Sequence, residues 1–344
     1  MARTASPSTR PLRVHLENLS TKDPVFALTE ALVRRTRSLQ PDLRASVRFS
    51  VGNDLEKIER SLASADVLVT STDVIRHPRF PKASLAEAAP GLRMIHLIGA
   101  GIEGALPLDW LPARTKLTNN SGVHAAKVTE FMLMALLALN NRLPEIVTNQ
   151  RAARWAQPFT PLIRGRRVTV VGLGDMGRGA VRAARMLGMT VTGVRRTGGT
   201  MAGVERIHPP AQVRRAVAGA DFVVIATPLT PQTRRMFDAA VLDAMKPGAG
   251  LINVGRGGVL DDAALAERLR DGRIGGAILD VFDPEPLPES SPLWSTPNLI
   301  VHPHCSSDDS ANYMIDTMGL VCSNLRRLIT GRPLRNVVLA DRGY

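Results

Sequence analysis

The chain has 344 residues, 44% of them hydrophobic, with 44 Lys and Arg against 31 Asp and Glu and a formal net charge of +13. That length points to two domains, the apolar content excludes a disordered chain, and only two cysteines, Cys305 and Cys322, exclude a disulfide framework or a multi-cysteine zinc site. No run of about 18 apolar residues marks a transmembrane helix, and the opening MARTASPSTRPLR lacks the apolar stretch of a secretory signal; the expectation is a soluble, cytoplasmic protein with no membrane partner.

In chain order, strand-like apolar runs occupy residues 12–17, 45–50, 66–70, 94–98 and 116–119, separated by helical stretches at 25–40, 54–63 and 83–89. A strongly apolar helix, HAAKVTEFMLMALLALN, follows at 124–140. A second series of strands then falls at 168–172, 191–194, 221–227, 250–254, 276–282 and 298–302, with helices at 177–188, 238–245 and 261–271, and a last helical stretch spans 308–330. Short strands alternating with helices imply parallel βαβ units. Two such series predict an α/β fold of two Rossmann-like, doubly wound parallel-sheet domains. No repeat of short period occurs, and low complexity is confined to the first 10 residues.

The charge is concentrated in one stretch. Residues 142–215 hold 14 arginines and no lysine, against only Glu145, Asp175 and Glu205. Such a balance first suggests nucleic acid, but aromatic residues are 4% of the chain, too few to build stacking platforms. The same stretch contains VTVVGLGDMGRGA, in which Gly172, Gly174 and Gly177 satisfy G-x-G-x-x-G between a strand-like and a helix-like run. The first glycine permits a tight turn, the second lets backbone approach a pyrophosphate, and the third allows close helix–strand packing. Amides at the helix start, those of Asp175 and Met176 among them, would face the phosphates. At the end of the next strand, VTGVRRTGG offers Arg195 and Arg196 where a carboxylate would serve NADH. Two guanidiniums suit the 2′-phosphate of NADPH, which is therefore expected to be preferred, with NADH possible.

Three later segments carry further chemistry: LINVGRGGVLDDAAL around Arg256, GAILDVFDPEPLP around Asp280 and Glu285, and NLIVHPHCSS ending in His304. Together with the glycine turn, and in this order, they resemble the D-2-hydroxyacid dehydrogenase family over residues 90–310 or so. The resemblance implies that Arg256 binds substrate, Glu285 is the acidic partner and His304 is the acid/base. Of His302 and His304 it favours the second, the histidine that follows proline. Histidine suits proton transfer near neutrality, a carboxylate on its other ring nitrogen favours the imidazolium, and arginine can grip a carboxylate and polarise a carbonyl.

The family pattern further implies that Asp280 binds the nicotinamide carboxamide, that Thr227, Pro228 and Thr233 border the cofactor, and that Val254 reaches the nicotinamide through its backbone. In HLIGAGIEG, the amides of Ala100 and Gly101 would receive the substrate carboxylate. Residues 1–120 with 305–344 would form the substrate-binding domain and 121–304 the dinucleotide-binding domain, with the active site in the cleft between them and homodimers built through the second. No metal site is expected, and Cys305 and Lys127 acquire no role. The expected activity is NADPH-dependent reduction of a small 2-oxoacid such as glyoxylate or hydroxypyruvate. A larger 2-oxoacid such as phenylpyruvate, and phosphite, stay open as substrates; formate is disfavoured, because the formate enzymes carry Gln where this chain has Glu285. A different class of function, an NAD(P)H-sensing interaction protein like the corepressors that share this fold, also stays open, although nothing here resembles an added regulatory tail.

Overall fold

The computed structural model describes residues 10–19 and 23–339, so all but Arg10 of the low-complexity stretch lies outside the described residues. The chain divides into two compact units, Met1–Val123 with Asp309–Tyr344, and His124–Asp308. The sequence pattern places these divisions after residues 120 and 304. Residues 305–308 stay with the second unit, where the amides of Cys305 and Ser306 bond to Asp280.

In the first unit, β1 (Leu12–Glu17), β2 (Val47–Gly52), β3 (Val67–Thr70), β4 (Met94–Leu97) and β5 (Lys116–Thr118) form one sheet in the order β2-β1-β3-β4-β5. Every pairing is parallel. Helices α1 (Glu30–Leu39), α2 (Ile58–Leu62), α3 (Thr72–Arg76) and α4 (Leu85–Ala88) make the crossovers. Every residue of β3 and β4 is buried, as parallel strands covered by helices on both faces require. α1 begins where Thr29 Oγ1 accepts the Leu32 amide at 3.1 Å, a side-chain cap worth about 1 kcal/mol, and it turns Leu32, Val33 and Thr36 inward.

The second unit begins with α5 (Ala125–Asn140) and α6 (Leu143–Arg151). It continues through β6 (Arg167–Val171), α7 (Asp175–Met186), β7 (Thr190–Val194), β8 (Arg206–His208), α8 (Val213–Val217) and β9 (Phe222–Ile225). It ends with α9 (Ala239–Ala244), β10 (Ala249–Asn253), α10 (Asp262–Arg270), β11 (Ile274–Leu279) and β12 (Leu299–Val301). Its seven strands run β12-β11-β10-β9-β6-β7-β8, all parallel. The first strand in sequence, β6, thus lies between β7 and β9, and the crossovers diverge on either side of it. In open parallel sheets the crevice at such a switch point is where ligands bind. α5 packs on α7 so closely that a Cβ at Gly179 would stand 2.5 Å from Val128 Cγ1. Finally α11 (Tyr313–Ile329) returns to the first unit and buries Met314, Met318, Val321 and Leu325 in one core with Leu32 and Val33 of α1 and Val14 and Leu16 of β1.

The chain is therefore α/β with two doubly wound parallel sheets. Four elements lay outside the sequence reading: α3, α6, α8 and β8. Three are five residues or fewer, too short to show a helical or strand period. Among the described residues no helix is long and apolar enough to cross a membrane.

Candidate active site

At the switch point of the second unit, three strand ends meet backbone to backbone. Gly172, after β6, has φ +96°, and a Cβ there would stand 2.5 Å from Ala226 O after β9; a Cβ at Gly255, after β10, would stand 2.5 Å from Thr227 O. Any side chain at these positions would push the loops apart, so glycine is a requirement of the crossing. Gly177 in the first turn of α7 lies against the Gly172 carbonyl: an added Cβ would be 1.8 Å from Gly172 O. Gly174 differs. It is exposed, and a Cβ there would meet nothing within 4 Å. The turn thus has two glycines forced by packing and one that leaves open space in front of the α7 N-terminus. The first amides of that helix have no intrahelical acceptor, and the helix dipole there favours an anion.

Other expected cofactor contacts fall around this turn in different states. Thr227 Oγ1 is buried and finds no hydrogen-bond partner among the described residues, a polar atom that costs stability unless something bonds to it. Thr233 is occupied: its hydroxyl donates to Pro228 O at 2.7 Å and accepts the Thr230 amide at 2.8 Å, closing the 228–233 turn. Val254 is buried and its amide donates to Ile225 O. Arg195 folds back to donate to Gly198 O at 2.5 Å, while Arg196 is exposed.

The three expected catalytic side chains lie on three loops of the same unit. Arg256 follows β10 in a loop that buried Asn253 organises, accepting the Gly255 amide at 3.0 Å and donating to Arg256 O at 3.2 Å. Asn253 escaped the sequence reading; its only signal is a polar residue at the end of a buried strand just before G-R-G-G. Gly257 lets this loop press on the next one, since a Cβ there would stand 2.0 Å from the Phe282 carbonyl carbon. Three residues beyond Phe282, Glu285 turns back to accept the Phe282 amide on Oε1 at 2.8 Å. Its Oε2 lies 2.6 Å from His304 Nδ1.

The two side chains shift each other's pKa. The bond to Glu285 raises the His304 pKa above its ordinary value; burial and the Arg256 charge oppose this without cancelling it. Burial pushes the Glu285 carboxyl up, but the bonds from His304 and the Phe282 amide, with the charges of His304 and Arg256, outweigh it and hold the pKa below the usual value. His304 stays about half exposed. With Nδ1 engaged by Glu285, Nε2 is the nitrogen left to meet a substrate.

Asp280 is 2% exposed and faces the turn that carries His304. Its Oδ1 accepts from His302 Nδ1 at 2.5 Å and from the amides of Cys305 and Ser306, and its Oδ2 accepts the Ser306 hydroxyl. His124 secures the far end of the turn, Nδ1 lying 3.1 Å from Ser307 O. The Cys305 thiol has its pKa raised, first by burial and then by Asp280 and Asp308, and Lys127 pairs with Glu130 on the surface of α5. In the first unit, Ala100 and Gly101 follow β4, and their amides donate no hydrogen bond among the described residues. No cluster of His, Cys, Asp and Glu among the described residues could hold a metal.

Residues 133–306 match the family model described as D-isomer specific 2-hydroxyacid dehydrogenase, NAD binding domain. A glyoxylate/hydroxypyruvate reductase A from Arabidopsis thaliana is 32% identical over 75% of this chain and 82% of its own length. A D-3-phosphoglycerate dehydrogenase from Methanocaldococcus jannaschii is 29% identical over 85% of this chain but only 55% of its own length, so the chain spans about half of relatives of that kind. Among solved structures, a D-isomer specific 2-hydroxyacid dehydrogenase from Xanthobacter autotrophicus Py2, in complex with NADPH and MES, superposes with a TM-score of 0.78 at 30% identity, covering 96% of this chain and 99% of that one.

Proposed function

Since the chain belongs to the D-isomer specific 2-hydroxyacid dehydrogenase family, we propose that it reduces a small 2-oxoacid of the glyoxylate or hydroxypyruvate kind to the D-2-hydroxyacid, with NADPH as reductant. The observation that carries the reading is the 2.6 Å bond between His304 Nδ1 and Glu285 Oε2 on loops adjoining Arg256. NADPH, when bound, supplies the hydride that reduces the carbonyl carbon. The residues at the switch point fit it: the open space at Gly174, the α7 amides of Asp175 to Gly177 and the orphaned Thr227 hydroxyl suit a phosphate-bearing ligand. Arg256 holds the substrate carboxylate and polarises the carbonyl. His304 donates the proton that the developing alkoxide needs, from Nε2, while Glu285 favours the charged imidazolium and fixes the ring.

Absorbance at the NADPH band across a panel of 2-oxoacids tests the reading. Turnover of at least one supports it, and no turnover with any of them favours the sensing alternative. The choice of NADPH rests on Arg195 and Arg196. Arg195 shapes the 195–200 loop through Gly198 O, and we assign the 2′-phosphate to its exposed neighbour Arg196 at the end of β7. A charge-assisted contact of this kind is worth about 1.5–3 kcal/mol. Arg196→Ala should therefore raise the Kd for NADPH about 10- to 100-fold while leaving that for NADH within about twofold, by fluorescence titration. An equal change for both would place the 2′-phosphate elsewhere.

A homodimer is part of the same proposal. Trp155, Phe159 and Leu162, on the segment after α6, are 84–90% exposed, and Met134, Leu137, Leu143 and Ile146 of α5 and α6 are exposed as well. So much exposed apolar surface marks an interaction face. Trp155→Glu with Phe159→Glu should convert a dimer to a monomer in analytical ultracentrifugation, and a wild-type monomer would refute the assignment.

A further inference from the structure

The turn that presents His304 carries a second imidazole–carboxylate pair that the proposed chemistry does not use. His302 follows β12, and its Nδ1 stands 2.5 Å from Asp280 Oδ1. That oxygen also accepts the Cys305 amide at 3.0 Å and the Ser306 amide at 3.1 Å, and Oδ2 takes the Ser306 hydroxyl at 2.5 Å. Four donors from a five-residue turn thus converge on one buried carboxylate. Inside that turn, His304 has φ +49°. A side chain in this left-handed region costs about 1–3 kcal/mol and persists only where the surroundings over-determine it.

The Glu285 bond alone does not over-determine it. His304 and Glu285 are 48% and 33% exposed, and a bond so open to water is worth little net. The restraint comes from below, and His302 supplies its one ring donor. The His302 ring packs on Phe131 of α5 with centroids 4.9 Å apart and planes at 57°. It is therefore held by α5 on one side and holds Asp280 on the other, so that the carboxylate is set against a helix rather than only against the turn it anchors.

We propose that His302 is a positioning residue: donating from Nδ1 to Asp280, it fixes the carboxylate that pins the Cys305 and Ser306 amides, and so the left-handed turn that sets His304 against Glu285. The proposal rests on reading His304 as the acid/base. Among the described residues, the ionisable groups that act on His304 or feel it are Glu285, Arg256, Asp280, His124 and Asp308. Of these, Glu285 touches its ring and is the largest influence on it. A changed His304 titration in a His302 variant therefore reports chiefly a changed Glu285 pair, with a smaller direct share from Asp280.

His302→Phe keeps a ring against Phe131 and removes the donor; His302→Asn keeps a donor near the position of Nδ1. The primary measurement is the His304 imidazole titration, followed by nitrogen-15 NMR on the chain without cofactor or substrate. In His302→Phe it should move down towards ordinary histidine by about half a unit or more, and kcat should fall about tenfold with the Kd for NADPH little changed. His302→Asn should restore both. The same titration in His302→Phe as in wild type, or an Asn variant no better than the Phe one, overturns the proposal. If the Phe variant fails to fold by circular dichroism, His302→Leu is read in its place. If no 2-oxoacid is turned over, the reading of function falls, while the titration still decides the positioning role.

Discussion

His304→Asn is expected to lower kcat for 2-oxoacid reduction by about 10²- to 10⁴-fold, the usual contribution of a positioned general acid, with the Kd for NADPH unchanged. The substitution leaves Arg256 and the glycine turn in place and removes only the proton donor. The pH dependence follows from the directions of the two shifts. In the proposed reaction, reduction needs the imidazolium, so kcat should be level at low pH and fall as pH rises through the His304 pKa. That pKa lies above the ordinary histidine value because Glu285 bonds to Nδ1. Glu285→Gln removes the carboxylate charge and keeps a side chain of the same shape, so the fall should begin at lower pH. Hydroxyacid oxidation needs the neutral ring, and its profile should be the mirror image. Steady-state rates in both directions across the pH range check all three statements. A His304→Asn enzyme running at wild-type rate, or a Glu285→Gln limb that does not move, would remove the dyad from the mechanism.

The parts of this site visible in the sequence are those whose residue type is forced by local geometry. Gly172 and Gly177 lie five positions apart and are constrained by one turn, so a short window carries the signal. His304, Glu285 and Arg256 stand out as candidates through three short motifs in family order, and the structure brings the first two within hydrogen-bond distance. What stayed hidden depends on which distant segments meet. The sequence suggests for Asp280 a place at the nicotinamide carboxamide; that it also receives four donors from residues 302–306, some 22 to 26 positions away, shows only in the structure. The role of Asn253 appears only when its loop closes around Arg256. The charge divides in the same way. Part of the 142–215 arginine excess serves the fold: Arg166 bonds Asn140 and Asp221 and stacks 4.8 Å over Phe222, and Arg142 pairs with Glu145. Counting charges cannot separate these from a guanidinium that would bind a ligand, because the two look alike until their partners are known.

The three glycines of the turn provide the other large prediction, because the structure gives them different duties. In Gly177→Ala the new methyl would stand 1.8 Å from Gly172 O. That neighbour is backbone at the end of a central strand and cannot swing aside, so α7 must move off β6. Overpacking of this kind should cost about 3 kcal/mol or more, seen as a lower midpoint in urea. Gly174→Ala meets no atom within 4 Å, and its φ of −71° and ψ of −161° are open to alanine. Its stability should change by less than about 1 kcal/mol, yet the methyl would fill the space through which a pyrophosphate approaches the α7 amides. The Kd for NADPH and NADH alike should rise about tenfold or more. That equal loss distinguishes it from Arg196→Ala, which should weaken NADPH alone. A Gly174→Ala chain that binds both dinucleotides as wild type does would mean that the phosphates do not lie over this turn, and the fit of cofactor to switch point would have to be given up.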